Sequence, residues 1–162
     1  QVLQARGASD RLLKIFSVSP EPDDENMADM PLVRGKILFR DVQFHYPGRP
    51  DTLKNLNLCI SAGETVAITG LNGAGKSTIF HLLMRFSDPQ AGSIQIDGID
   101  LRDVSLASLR QQIGLVTQNT LLFSGTVAEN ISYGRIDAGE EDIEAAARAA
   151  HAHAFISDLL EG

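Results

Sequence analysis

Two stretches in the first third of the chain place apolar residues at nearly alternating positions. The first covers residues 37–46 and the second covers residues 53–60. Such alternation puts apolar side chains on one face of a β-strand and polar side chains on the other. The stretches are joined by a segment rich in proline, glycine and aspartate, which are typical turn residues. The pattern predicts two strands of an antiparallel sheet.

Three later segments have the composition of strands. TVAIT at 65–69 and IGLVTQ at 113–118 are short runs of consecutive apolar residues, which are typical of strands buried on both faces of a parallel sheet. GSIQIDG at 92–98 alternates and has glycines at both ends, which indicates a strand between two turns.

Helical spacing of apolar residues lies between and after these strands. It predicts helices within residues 77–86 and 105–112, and an alanine-rich helical tail that begins with three acidic residues at 140–142. Acidic side chains favour a helix N-terminus because they face its positive dipole end. Strands alternating with helices predict an α/β fold.

The N-terminal part differs in composition. Residues 1–17 have their apolar positions near one stripe, which predicts a helix, and residues 18–34 are acidic and proline-containing, which predicts a solvated linker. Residues 35–162 then form a separate domain.

Composition narrows the functional classes. Apolar residues make up 43% of the chain and charged residues 22%, which is ordinary for a globular protein. A net charge of -7 argues against nucleic-acid binding, which usually requires a basic face. Cys59 is the single cysteine and lies in an apolar run, so we predict a buried thiol. No stretch approaches the roughly 18 apolar residues that would span a bilayer.

The most informative segment is GLNGAGKST, between the predicted strand at 65–69 and a predicted helix. It matches the phosphate-loop pattern in full. Its residues are Gly70, Leu71, Asn72, Gly73, Ala74, Gly75, Lys76, Ser77 and Thr78.

The chemistry of phosphate binding explains this composition. Gly73 and Gly75 permit positive φ and close approach of the backbone amides to phosphate oxygens. Lys76 is predicted to bind the β- and γ-phosphates, and the Ser77 hydroxyl to ligate Mg²⁺. Thr78 is expected on the α-phosphate side. These residues predict binding of ATP with Mg²⁺.

The sequence on both sides of this motif resembles one family of phosphate-loop proteins. Residues 37–78 and 92–134 resemble the nucleotide-binding domain of ABC transporters in their motifs, order and spacing, and the resemblance extends from Gly35 to the end. It implies the α/β P-loop NTPase fold of ABC ATPases, here an incomplete domain with an antiparallel β subdomain and the start of an α-helical subdomain.

The resemblance assigns two further residues. Tyr46 matches the aromatic position that stacks on adenine. Gln118 matches the glutamine that joins the Mg²⁺ shell and senses the γ-phosphate. Lys76 and Gln118 are the two candidate catalytic residues. The resemblance also implies two partners. One is a second nucleotide-binding domain, in a homo- or heterodimer, and the other is a transmembrane domain whose coupling helices contact residues 119–134.

Some motifs of the family do not occur in the sequence. LSGGQ and the Walker B element, which supplies the catalytic base, are absent. Asp97 follows an apolar alternation but precedes a glycine, so we assign it to a turn. The chain is therefore expected to bind nucleotide without hydrolysing it.

The leading interpretation is the ATP-binding part of an exporter, with the helix at 1–17 joining it to a membrane domain, at the cytoplasmic face of a membrane. The alternatives are a soluble ABC ATPase acting on DNA or ribosomes, and a P-loop kinase of small molecules. His45 and His81 have no partner at zinc-ligand spacing, so a zinc site is not expected.

Overall fold

The structure is a computed structural model that describes residues 16, 21, 26–49 and 52–159. The helix predicted at 1–17 lies outside the described residues, except for Phe16. The chain divides into two compact units, residues 1–112 and residues 113–162, and each is described by itself.

A four-stranded antiparallel sheet forms the first unit. Its strands are β1 (Ile37–Phe44), β2 (Leu53–Ile60), β3 (Ala91–Ile96) and β4 (Ile99–Asp100), in the order β2-β1-β3-β4. The predicted pairing of the first two strands is confirmed.

The register of the sheet follows the apolar alternation. Phe39 lies opposite Leu58 on β2 and Ile94 on β3. Phe39 and Ile94 are buried, whereas the residue after Phe39, Arg40, points to solvent and is exposed. Irregularities in the register occur after Phe39 and again before Phe44. One face of the sheet is therefore the core face.

Two helices are formed where helical spacing predicted them. They are α1 (Lys76–Leu83) and α2 (Leu106–Gln111), and a 3-10 turn at Leu101–Asp103 precedes α2. Ser105 caps α2 by accepting a hydrogen bond from the Ser108 backbone N–H. The core is completed by apolar side chains of these segments, namely Ile79, Leu82, Leu101, Val104, Leu106 and Leu109.

The end of the acidic segment packs into this unit. Met30 is 5% exposed, and its backbone N–H donates to the Ser108 hydroxyl at 2.8 Å. Ala28 forms a parallel bridge with Val104. Composition predicted a solvated linker over 18–34, but its last residues contribute a side chain to the core.

Two predicted strands are wrong. Residues 65–69 and 113–118 have no regular secondary structure and are exposed or half-buried. A strand buried on both faces of a parallel sheet needs a hydrogen-bonded neighbour. The described residues provide no neighbour for either segment.

The prediction for Cys59 is also wrong, because its side chain is exposed. It belongs to β2, which is at the edge of the sheet. On β2 the apolar residues next to Cys59 are only half-buried.

The second unit is helical. Its helices are α3 (Val127–Ser132), α4 (Glu140–Ala149) and α5 (His153–Ser157). A capping box formed by Thr126 and Glu129 starts α3, and three acidic residues occupy the first turn of α4, as predicted. His151, at φ 56°, interrupts the tail between α4 and α5. No helix within the described ranges is long and apolar enough to cross a bilayer.

Candidate nucleotide site

The phosphate loop is a turn that ends directly in α1. Gly70, Gly73 and Gly75 have φ values of 152°, 82° and 86°, which L side chains rarely adopt. The Ala74 N–H donates to the Leu71 carbonyl at 3.2 Å and closes the turn. The three glycines therefore allow the backbone path that the motif predicted.

Lys76 is folded back over this loop. Its Nζ donates to the carbonyls of Gly70 at 2.8 Å and Leu71 at 2.7 Å. The ammonium group thus lies at the centre of the turn. A phosphate group bound by the loop would meet this charge without a large movement of the side chain.

The first turn of α1 has no side-chain cap. Gly75 is the N-cap residue, and it offers no side-chain acceptor to the first turn. Backbone amides at a helix N-terminus therefore remain for an anion, whose charge the helix dipole favours. The Ser77 side chain is exposed beside them, whereas Thr78 is buried. Ser77 is thus accessible to a metal ion bound with the phosphates.

Gly75 also packs against the sheet. A Cβ at this position would lie 2.8 Å from Leu53 Cδ2 and 3.0 Å from the Thr52 carbonyl oxygen. A larger residue at the start of α1 would therefore displace the Leu53 side chain, press on the Thr52 carbonyl and adopt a strained φ of 86°.

Tyr46 lies beyond the end of β1 and is half-buried. Its ring contacts Phe44 edge to face, with ring centroids 4.9 Å apart, and contacts His81 at 5.8 Å. Its hydroxyl is 3.5 Å from Thr78 Oγ1. The structure therefore brings the predicted adenine-stacking residue against the helix that follows the phosphate loop.

Gln118 belongs to the second unit, where it follows the irregular segment at 113–117 and is exposed. The neighbouring Thr117 hydroxyl donates to the Asn119 carbonyl at 2.9 Å. Its assignment to the Mg²⁺ shell stays a prediction.

Asp97 has the structural role that its glycine neighbour indicated. It is in the turn between β3 and β4, and its carboxylate accepts backbone hydrogen bonds from Arg34, Gly35 and Lys36, the last at 2.9 Å. The hydrogen bond from the Lys36 N–H is the largest cause that lowers the pKa of this carboxyl, and the other two N–H groups act in the same direction. The carboxylate is thus engaged by the backbone.

Sequence reasoning missed His81. It lies on α1, four residues after Ser77, so it is on the same helix face one turn later. Its ring lies between the rings of Tyr46 and Phe86. The spacing from Ser77 was the available signal, but only the structure brings the end of β1 to this helix face.

Comparisons with known proteins identify the family of this chain. A profile of the ABC transporter family matches residues 53–161. The ATP-dependent lipid A-core flippase of Syntrophus aciditrophicus (strain SB) is 47% identical over 162 residues, which cover 99% of this chain and 27% of the flippase. ABC transporter B family member 14 of Arabidopsis thaliana is 47% identical over 161 residues, which cover 98% of this chain and 13% of that protein.

A solved structure has the same fold. A bacterial Atm1-family ABC exporter with ATP bound aligns with a TM-score of 0.83 and 37% identity, over 99% of this chain and 29% of the exporter chain. The predicted ABC ATPase fold is confirmed, and the chain spans between about an eighth and about three tenths of the length of these three proteins. The chain belongs to the ABC transporter family.

Proposed function

We propose that the chain is the ATP-binding part of an ABC transporter that couples ATP binding and hydrolysis to export across a membrane. The phosphate loop carries this proposal: three glycines with positive φ, an uncapped helix start and a lysine folded over the turn form a site for a polyphosphate. The relatives include a flippase and an exporter, which supports export as the process that the nucleotide drives.

The nucleotide would bind along one path in the first unit. Adenine stacks on Tyr46, the phosphates lie on the amides of residues 70–78 under Lys76, and Ser77 ligates Mg²⁺. Aromatic stacking suits a flat base and contributes on the order of 1 kcal/mol. In the assembled protein, Gln118 completes the Mg²⁺ shell and senses the γ-phosphate.

The second unit would transmit the nucleotide state to the membrane domain through residues 119–134. Leu121 and Leu122 in this segment are 83% and 81% exposed. The Asn130 side chain accepts from the Phe123 N–H at 2.8 Å and donates to the Phe123 carbonyl at 3.0 Å. An apolar loop held in shape by an amide side chain supports docking of a partner helix.

The remaining assignments concern the whole transporter. Residues 1–17 join this part to the membrane domain, residues 18–34 connect them, and residues 35–162 form part of a nucleotide-binding domain at the cytoplasmic face. Because the sequence contains neither LSGGQ nor a Walker B element, this chain by itself binds nucleotide without hydrolysing it. A second nucleotide-binding domain supplies the facing half of the site.

Replacement of Lys76 by alanine tests nucleotide binding. We expect K76A to weaken Mg-ATP binding by at least about 100-fold, because the charged hydrogen bonds to the phosphates are lost. Isothermal titration calorimetry measures the affinity, and circular dichroism checks the fold. K36A is the matched control: it removes a lysine charge from the exposed residue just before β1. This variant should bind Mg-ATP like the wild type. Equal affinity of K76A and the wild type would refute the proposal.

A further inference from the structure

His81 is held in a row of rings that runs from the end of β1 to the end of α1. Its ring centroid is 5.8 Å from that of Tyr46 and 5.3 Å from that of Phe86, and both contacts are edge-type. Its Nε2 is 3.3 Å from the Ser87 hydroxyl. The ring is therefore fixed from both sides and by a polar contact.

The far end of the row is fixed as well. The Arg110 guanidinium lies 5.1 Å from the Phe86 ring centroid, and its Nε donates to the Met84 carbonyl at 3.1 Å. A cation over an aromatic ring attracts it electrostatically. Phe86 is thus a fixed support for His81 and cannot swing away without losing this contact.

Tyr46 lies just beyond the hydrogen-bonded part of β1, where Phe44 contacts its ring from the strand side at 4.9 Å. On the side of the phosphate loop its position is set by α1. Two residues of α1 contact it: His81 through the ring and Thr78 through the hydroxyl at 3.5 Å. The second distance is at the limit of a hydrogen bond, so the ring contact is the firmer restraint. Since α1 begins at the phosphate loop, these contacts set the separation of Tyr46 from that loop.

We propose that His81 is a positioning residue for nucleotide binding: it holds the Tyr46 ring at the distance from the phosphate loop that lets one nucleotide contact both. The inference rests on the proposed function, because it requires adenine to stack on Tyr46. His81 acts through Tyr46, so its effect is confined to the part of the affinity that the base supplies.

The test compares two ligands of the 162-residue chain, Mg-ATP and magnesium tripolyphosphate, which carries phosphates but no base. We expect H81A to weaken Mg-ATP binding by about 2- to 10-fold, the range for loss of an aromatic pair, and to leave tripolyphosphate binding unchanged. H81F keeps an aromatic ring and should restore most of the Mg-ATP affinity. H45A alters the exposed histidine next to Tyr46 and should have no effect.

A double-mutant cycle separates positioning from independent contact with the ligand. If His81 acts through Tyr46, Y46A and the Y46A/H81A pair bind Mg-ATP equally, since the second change has nothing left to position. Additive losses would overturn the proposal, and so would an equal loss of Mg-ATP and tripolyphosphate binding in H81A. Unchanged tripolyphosphate binding by K76A would instead refute the proposed phosphate site, independently of His81.

Discussion

The antiparallel sheet and the two irregular segments at 65–69 and 113–118 have similar apolar compositions but different structures. β1 has a hydrogen-bonded neighbour on each side, and its core face is buried. The two irregular segments pair with none of the described strands, and most of their residues are exposed. Strand-forming composition therefore yields a strand only where the chain also supplies a neighbour.

The short sequence distance between β1 and β2 favours their pairing, whereas the pairing of β1 with β3 is long-range. β1 ends at Phe44 and β2 begins at Leu53, so the two strands are close in sequence and closing the loop between them costs little conformational entropy. A parallel pair requires a crossover connection and more than one long-range contact. Each strand of the sheet thus has a hydrogen-bonding neighbour among the other strands of the first unit.

The largest expected loss of stability comes from a substitution at Gly92 on β3. An added Cβ would overlap the Arg40 carbonyl oxygen, and the residue has φ 86°. G92A should destabilise the sheet by about 3 kcal/mol or more, because both backbone strain and a clash with β1 are introduced. The midpoint of urea unfolding measures this loss.

Gly98 provides the matched control. It has nearly the same φ, 87°, but no atom lies within 4 Å of its added Cβ. G98A should therefore cost about 1 kcal/mol, from backbone strain alone. Equal losses in the two variants would contradict this expectation, because they would show that β1 and β3 accommodate a Cβ at Gly92 without loss of stability.

The sheet and the irregular segment at 113–118 can be compared through one valine in each. Val42 on β1 is 0% exposed, and Val116 in the irregular segment is 94% exposed. V42A should cost about 2 kcal/mol, from lost burial and a small cavity, and V116A less than about 0.5 kcal/mol. Chemical denaturation of both variants gives the two values. A large loss in V116A would show that residues 113–118 are packed after all.

The smallest effect concerns pH and Asp97. Its pKa is lowered from 3.8 by backbone hydrogen bonds, so its carboxylate contributes stability above the unfolded pKa, and this is lost as the pH falls through the folded pKa. D97N tolerates the left-handed backbone of this turn. It should reduce the loss of stability that occurs as the pH falls below the unfolded pKa of 3.8 and through the lower folded pKa. Identical pH dependence in the variant and the wild type would contradict this role.

Local patterns predicted the first unit best. The alternation at 37–44 and 53–60, and the helix after the phosphate loop, depend on neighbours nearby in sequence, and the structure has them. The burial of Met30 could not be predicted, because its partner Ser108 is 78 residues away. The exposure of Cys59 follows from the position of β2 at the sheet edge, which apolar composition does not encode.

In the candidate site, too, contacts between residues distant in sequence could not be predicted from local patterns. The residues of the phosphate loop are contiguous, so a motif finds them together. The contact between Tyr46 and His81 joins two segments 35 residues apart and needs the fold. Gln118 was identified only through resemblance, since an isolated exposed glutamine has no distinguishing local pattern.

Gly75 shows that one residue can satisfy two separate requirements. Its missing side chain serves the phosphate loop, and it also leaves the room that Leu53 and Thr52 occupy. A variant such as G75A would therefore lose nucleotide affinity and folding stability together. An activity assay alone would attribute the whole defect to weaker nucleotide binding. The packing and the φ of 86° would favour glycine at this junction even in a protein that had lost its nucleotide. The presence of Gly75 is therefore weaker evidence for a working site than that of Lys76 or Tyr46.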